Sequence, residues 1–159
     1  MKLNLGCNNQ IMDGYVNVDI YPYNDDVVVG DCTKLDFVEK ESCDEIYAQD
    51  ILEHFPYTTG VDVLKLWCSL LKKGGRIFIQ TPDLEKHIHN FQSGVWGVDK
   101  LNYFLFAGVP WGKSEVDDFD FHKAVYTSSH IEKLLNDFGV HVDECTKNEM
   151  NMFIWGTKI

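Results

Sequence analysis

Three groups of residues have types and spacings that could do chemistry. The first lies in LNLGCNNQIMDGYVNVDI, residues 3–20. A short apolar run, Lys2 to Leu5, leads into Gly6-Cys7-Asn8-Asn9, and a second run ends at Asp19 with Ile20 after it. A glycine at Gly6 lets the chain turn tightly and lets a ligand approach backbone N–H groups that no side chain screens. A carboxylate at Asp19 can accept hydrogen bonds from both hydroxyls of a ribose. Taken singly, Gly6 also reads as a plain turn and Asp19 as a solvated strand end; together, in this order, they point to a nucleoside site. Thirteen positions separate Gly6 from Asp19, against about 20 in the dinucleotide fingerprint. So short a connection leaves little helix N-terminus to hold a pyrophosphate, and a ligand without phosphates fits better than a nicotinamide dinucleotide.

The second group is Gly30-Asp31-Cys32, where a carboxylate can accept an exocyclic amine and the Cys32 backbone can pair with a ring nitrogen. Asp31 as the cap of a turn is the equal alternative. The third group follows a fourth apolar run: Gln49-Asp50, then Ile51-Leu52-Glu53-His54-Phe55. With His122 further on, Asp50 and His54 are candidate general bases for a reaction that removes a proton. A histidine just inside a helix, as His54 would be, also caps or packs. Asp117-Asp118-Phe119-Asp120-Phe121-His122 reads as a solvated edge rather than a ligand set, and His87-Ile88-His89 as surface, so no metal is assigned.

These groups need a frame that brings strand ends together. Short β-rich runs at 2–5, 16–20, 27–29, 45–48, 76–81, 140–142 and 152–157 alternate with helical patterns, the mark of an α/β domain with a mainly parallel sheet. Val27-Val28-Val29 and Ile77-Phe78-Ile79 have no polar alternation, which predicts strands covered on both faces. Val63, Leu64, Trp67, Leu70 and Leu71 recur at helical spacing, with Gly74 as the stop. Ile131, Leu134, Leu135 and Phe138 mark a second helix, with a Ser129–Glu132 capping box before it and Gly139 after it. Residues 91–125 lack clean periodicity and carry Trp96, Tyr103, Phe104, Phe106 and Trp111. They read as a lid over an acceptor, with a dimer face or a cover for the sheet as equal alternatives.

Composition narrows the classes. The 159 residues suit one domain. The formal net charge is −11 and no basic stripe exists, which argues against nucleic acid as a partner. Five widely spaced cysteines without a CxxC pair read as free thiols in a reducing compartment, and neither a signal peptide nor a membrane-length apolar run is evident. A soluble, cytoplasmic protein is the expectation.

LNLGCNN…GYVNVD, DEIYAQDILEHF, LLKKGGRIFIQTPDLE and HKAVYTSSHIEKLLNDFGV together resemble the small bacterial class I S-adenosylmethionine-dependent methyltransferases, over residues 2–157. The resemblance implies a Rossmann-like, mostly parallel sheet of seven strands with an antiparallel last strand. It implies S-adenosylmethionine as cofactor, and a small-molecule or glycan acceptor. By the same resemblance Gly6, Cys7 and Asn8 form the cofactor loop, Asp19 and Ile20 meet the ribose, Asp31 and Cys32 meet the adenine, and Gln49 lies near the methionine part. Leu52-Glu53-His54 matches the family's LEH sequence. Asn8 stands where the loop usually has a second glycine, Asp50 where relatives often have His, and the N-terminal cap helices are lacking. A non-catalytic module that keeps the cofactor fold is the alternative these departures suggest.

Overall fold

The computed structural model describes residues 1–106 and 118–159. In chain order the elements are β1 (Lys2–Leu5), β2 (Val16–Asp19), β3 (Val27–Val29), β4 (Cys43–Gln49), a 3-10 turn (Leu52–His54), α1 (Tyr57–Leu70) and β5 (Leu71–Pro82). Then come α2 (Leu84–Gln92), α3 (Val98–Phe106), a second 3-10 turn (Asp118–Asp120), α4 (Ser128–Asp137), β6 (Val140–Lys147) and β7 (Asn151–Lys158). The strands form one seven-stranded sheet in the order β3-β2-β1-β4-β5-β7-β6. β1 to β5 pair in parallel, and β7 runs antiparallel to both β5 and β6. The order reverses between β1 and β4, which opens a crevice outside the carboxyl ends of those two strands.

Register sorts the side chains by face. Leu3 lies opposite Val16 and Ile46, Ile46 opposite Ile77, and Ile79 opposite Ile154. This row is buried under α1 through Val63, Leu64 and Trp67, and under α4 through Ile131, Leu134 and Leu135. The alternate row places Asn4 opposite Tyr47, Tyr47 opposite Phe78, and Phe78 opposite Trp155. Tyr47 stacks on Phe78 with ring centroids 4.4 Å apart, and the Arg76 guanidinium lies 4.2 Å from the Trp155 ring.

Several sequence expectations are corrected. β3 is an edge strand: Val28 and Val29 are exposed, because among the described residues nothing in the sheet pairs beyond them. Its run of three valines reflects strand propensity rather than cover on both faces. α1 ends at Leu70, before Gly74, since the chain passes directly into β5. α4 is capped by Thr127, whose hydroxyl accepts from the His130 N–H, instead of by Ser129. His87, expected at the surface, is 1% exposed, with Nε2 2.9 Å from the Met150 carbonyl oxygen. Within the expected lid, α3 and the end of α2 are regular helix, and Trp96 is buried, stacked on Phe104 with centroids 4.6 Å apart. Trp111 and Asp117 lie outside the described residues.

Candidate functional site

The crevice is built by the turn after β1. Gly6 has φ +64° and Asn8 φ +48°, so the chain reverses through two left-handed residues. Asn is among the few side chains that tolerate this region. No helix follows, and residues 10–15 instead fold back over the sheet. The Asn4 amide donates to the Gln10 carbonyl at 2.8 Å and to the Asn17 side chain at 2.9 Å, while the Met12 N–H donates to Asn17 Oδ1. The result is a recess of about 490 Å³ lined by Asn4, Gly6, Asn8, Tyr47, Gln49 and Asp50, among others. Among the described residues, its lining holds no lysine, arginine or histidine.

Asp19 borders this recess through the turn. One carboxylate oxygen accepts the Asn8 N–H at 2.8 Å and the other the Tyr21 N–H at 3.0 Å. Each oxygen keeps a further lone pair for a ligand hydroxyl. Burial, and then the charge of Asp19, push the Cys7 thiol up to about 11, and burial pushes Cys32 up to about 12. Both are neutral thiols, with no role as nucleophiles. Ile20 is exposed at the tip of β2. Asp31 caps its own turn: the Thr33 hydroxyl donates to Oδ1 at 2.6 Å, the Thr33 N–H at 2.9 Å, and Lys34 approaches Oδ2 at 3.0 Å.

Across the recess, β4 ends in Gln49, and Asp50, the next residue, is a left-handed non-glycine residue at φ +50°. The Gln80 amide donates to both its carboxylate oxygens, at 2.9 and 2.8 Å. Burial nonetheless raises the Asp50 carboxyl above its usual range. Glu53 is 2% exposed and accepts from the Thr81 hydroxyl at 2.9 Å. Burial first, then the Asp50 charge, push it up to about 8. His54 and His122 meet edge to face with centroids 5.0 Å apart. Nδ1 of His54 lies 3.2 Å from the Phe121 carbonyl oxygen, with the Phe119 carbonyl also near the ring. Nδ1 of His122 lies 3.0 Å from the Phe104 carbonyl oxygen. Burial lowers both imidazoles, His54 to about 4, so both are neutral near pH 7. The segment carrying His122 is pinned by Lys123 and Ala124 N–H groups donating to the Glu53 carbonyl, and Phe119 reaches the Tyr21 ring edge on, at 6.4 Å. It thereby links the tips of β2 and β4.

Thus Gly6, Cys7, Asn8, Gln49 and Asp50 line one recess, with Asp19 held against it. Ile20, Asp31 and Cys32 stand at the neighbouring strand tips, and His54 with His122 forms a second cluster beside Asp50. Sequence reasoning missed Asn4, Tyr47, Gln80 and Glu53. A signal existed for Asn4 and Asn17, polar residues inside otherwise apolar strands; for Glu53 a buried carboxylate could not be told from a surface one.

No protein-family model matches the chain, and no curated protein does. Solved structures do match. An S-adenosylmethionine-dependent methyltransferase of Methanosarcina mazei superposes with TM-score 0.70 at 15% identity, over 99% of this chain and 92% of that one. One from Archaeoglobus fulgidus gives 0.66 at 16%, over 99% and 85%. The Burkholderia thailandensis 1,6-didemethyltoxoflavin-N1-methyltransferase, with its substrate and S-adenosylhomocysteine bound, gives 0.63 at 12%, over 99% and 70%. Such neighbours are archaeal as well as bacterial. The shared strand order, the antiparallel β7 and the crevice at the β1–β4 reversal identify the architecture as the Rossmann-like fold of class I methyltransferases.

Proposed function

We propose that the chain binds S-adenosylmethionine in the β1–β4 recess and transfers its methyl group to a small-molecule or glycan acceptor. The observation that carries this is the recess itself. The left-handed turn at Gly6 and Asn8, the Asp19 carboxylate and the Gln49-Asp50 tip converge on one cavity whose lining, among the described residues, carries no basic side chain. Among the described residues a pyrophosphate would find neither a cation nor a helix N-terminus there, whereas a sulfonium finds the Asp50 carboxylate.

The Gly6–Asn8 backbone and Gln49 hold the methionine part. Asp19 takes the ribose hydroxyls on its remaining lone pairs, and Ile20 covers the adenine. The exocyclic amine meets Asp31, and a ring nitrogen meets the Cys32 backbone. The donor supplies an electrophilic methyl. The acceptor's lone pair forms the new bond while the S–CH₃ pair stays on sulfur, and the acceptor's proton passes to a base among Asp50, His54 and His122. Alignment of donor and acceptor contributes about 7–11 kcal/mol, and a placed base about 10²–10⁴-fold in rate.

Calorimetry with S-adenosylmethionine, S-adenosylhomocysteine and NAD tests the reading. Both sulfur ligands bind, NAD does not, and S-adenosylhomocysteine is released in a screen of hydroxyl-bearing small molecules and glycans. NAD binding in place of the sulfur ligands overturns it. Tight binding with no release across the panel favours a binding module instead, the reading suggested by Asn8 in the turn.

A further inference from the structure

We propose that Glu53, His54 and His122 form a site for one divalent transition-metal ion, zinc foremost. Each residue offers one donor atom, and the three atoms lie within 4.8 Å of one another. The two imidazoles are set up as ligands by their outer contacts. A carbonyl oxygen only accepts, so the Phe121 and Phe104 carbonyls fix the proton on Nδ1 of His54 and His122. In a neutral imidazole this leaves the lone pair on Nε2, the arrangement in which a backbone carbonyl orients a metal-binding histidine. Glu53 is likewise oriented, by the Thr81 hydroxyl donating to Oε2.

Two imidazoles and one carboxylate select zinc or its first-row neighbours over magnesium or calcium, which take oxygen. With Zn–N and Zn–O bonds of about 2.0–2.2 Å, tetrahedral ligands stand about 3.3–3.6 Å apart, so small side-chain rotations close the site. Three protein ligands leave a position open, the pattern of sites that act on a bound molecule, and with both imidazoles engaged as ligands Asp50 is the base that remains of the three candidates. Asp50 connects this cluster to the recess: it lines the cavity, and its charge acts on both Glu53 and His122. Resting on the methyl-transfer reading, the open position assigns the acceptor as a hydroxyl, the group whose proton a Lewis acid loosens most directly.

The test uses the untagged 159-residue chain carrying Cys145→Ser, which removes the exposed thiol. After EDTA treatment and dialysis it is titrated with zinc chloride, without S-adenosylmethionine. One ion binds per chain, and Glu53→Gln and His122→Gln each weaken binding at least tenfold. Cobalt substitution gives visible d–d bands without thiolate charge transfer, a readout that needs no variant. No zinc heat, a cobalt spectrum showing sulfur ligation, or variants that bind as the parent would overturn the site. S-adenosylhomocysteine titrated separately keeps the readings apart. If zinc binds and the sulfur ligand does not, the hydroxyl-acceptor assignment falls with methyl transfer; if only the sulfur ligand binds, the metal site falls alone.

Discussion

Gly6 answers two separate demands at one backbone position. Its φ of +64° lies in the left-handed region, which costs an ordinary L-residue about 1–2 kcal/mol. A Cβ there would also stand 2.5 Å from Ile51 Cδ1 and 3.0 Å from Ile51 Cβ. Ile51 belongs to the segment that leads from Asp50 into the Glu53-His54 turn, so the clash would push the two walls of the recess apart. Gly6→Ala is therefore expected to lower stability by more than the roughly 1–2 kcal/mol of backbone strain. Adding Ile51→Ala to it removes the collision with Cδ1 but none of the strain. Urea unfolding of the wild type, Gly6→Ala, Ile51→Ala and the double variant closes the cycle. The expected coupling is favourable and incomplete; a double variant no less stable than Ile51→Ala alone would show that the left-handed backbone costs nothing here.

At the scale of elements, the turn after β3 depends on one titrating group. Asp31 lies below its ordinary value of 3.8, chiefly through the Thr33 hydroxyl, which burial opposes next in size, with smaller lowering from the Thr33 N–H and Lys34. Its folded pKa is thus lower than its unfolded one. The stabilisation is present above the unfolded value and disappears as pH falls through the folded value. Asp31→Asn should consequently cost stability at pH 7 and at pH 5, and the difference from wild type should shrink as pH is lowered below the ordinary value of 3.8; a gap that stays constant across urea melts from pH 7 into that acid range removes the titration from the account. The elements also divide into those legible in the sequence and those not. β1, β4, β5 and α1 declare themselves because Leu3, Ile46, Ile77 and Val63 repeat with the period of their own element. α2 does not: LEKHIHNFQ is polar, and its buried residues are His87 and Asn90. They are satisfied by the Met150 and Glu149 carbonyls, some sixty residues away. The same distinction governs the site. Gly6 and Asp19 are neighbours through a short turn and can be read from spacing, whereas His54 and His122 are brought together by the fold across a long stretch of chain.

The molecule as a whole carries a formal charge of −11, and its recess adds Asp50 to a lining otherwise without charge among the described residues. A field of this sign favours a cationic ligand over a neutral analogue of the same shape. S-adenosylmethionine and S-adenosylhomocysteine form such a pair, differing by the methyl group and the positive charge on sulfur. For either ligand at 100 times its Kd, linkage adds about 2.7 kcal/mol to stability, an increase of about 5–10 °C in Tm for a chain of this size. The charge dependence should separate the two. Screening shortens the reach of the field from about 30 Å at 0.01 M salt to about 10 Å at 0.1 M. Raising salt over that range should therefore weaken S-adenosylmethionine binding more than S-adenosylhomocysteine binding. Thermal melts over a ligand titration at the two salt concentrations measure both affinities. Equal salt dependence for the pair would mean that the sulfonium does not experience the negative field, and that sulfur is bound away from Asp50.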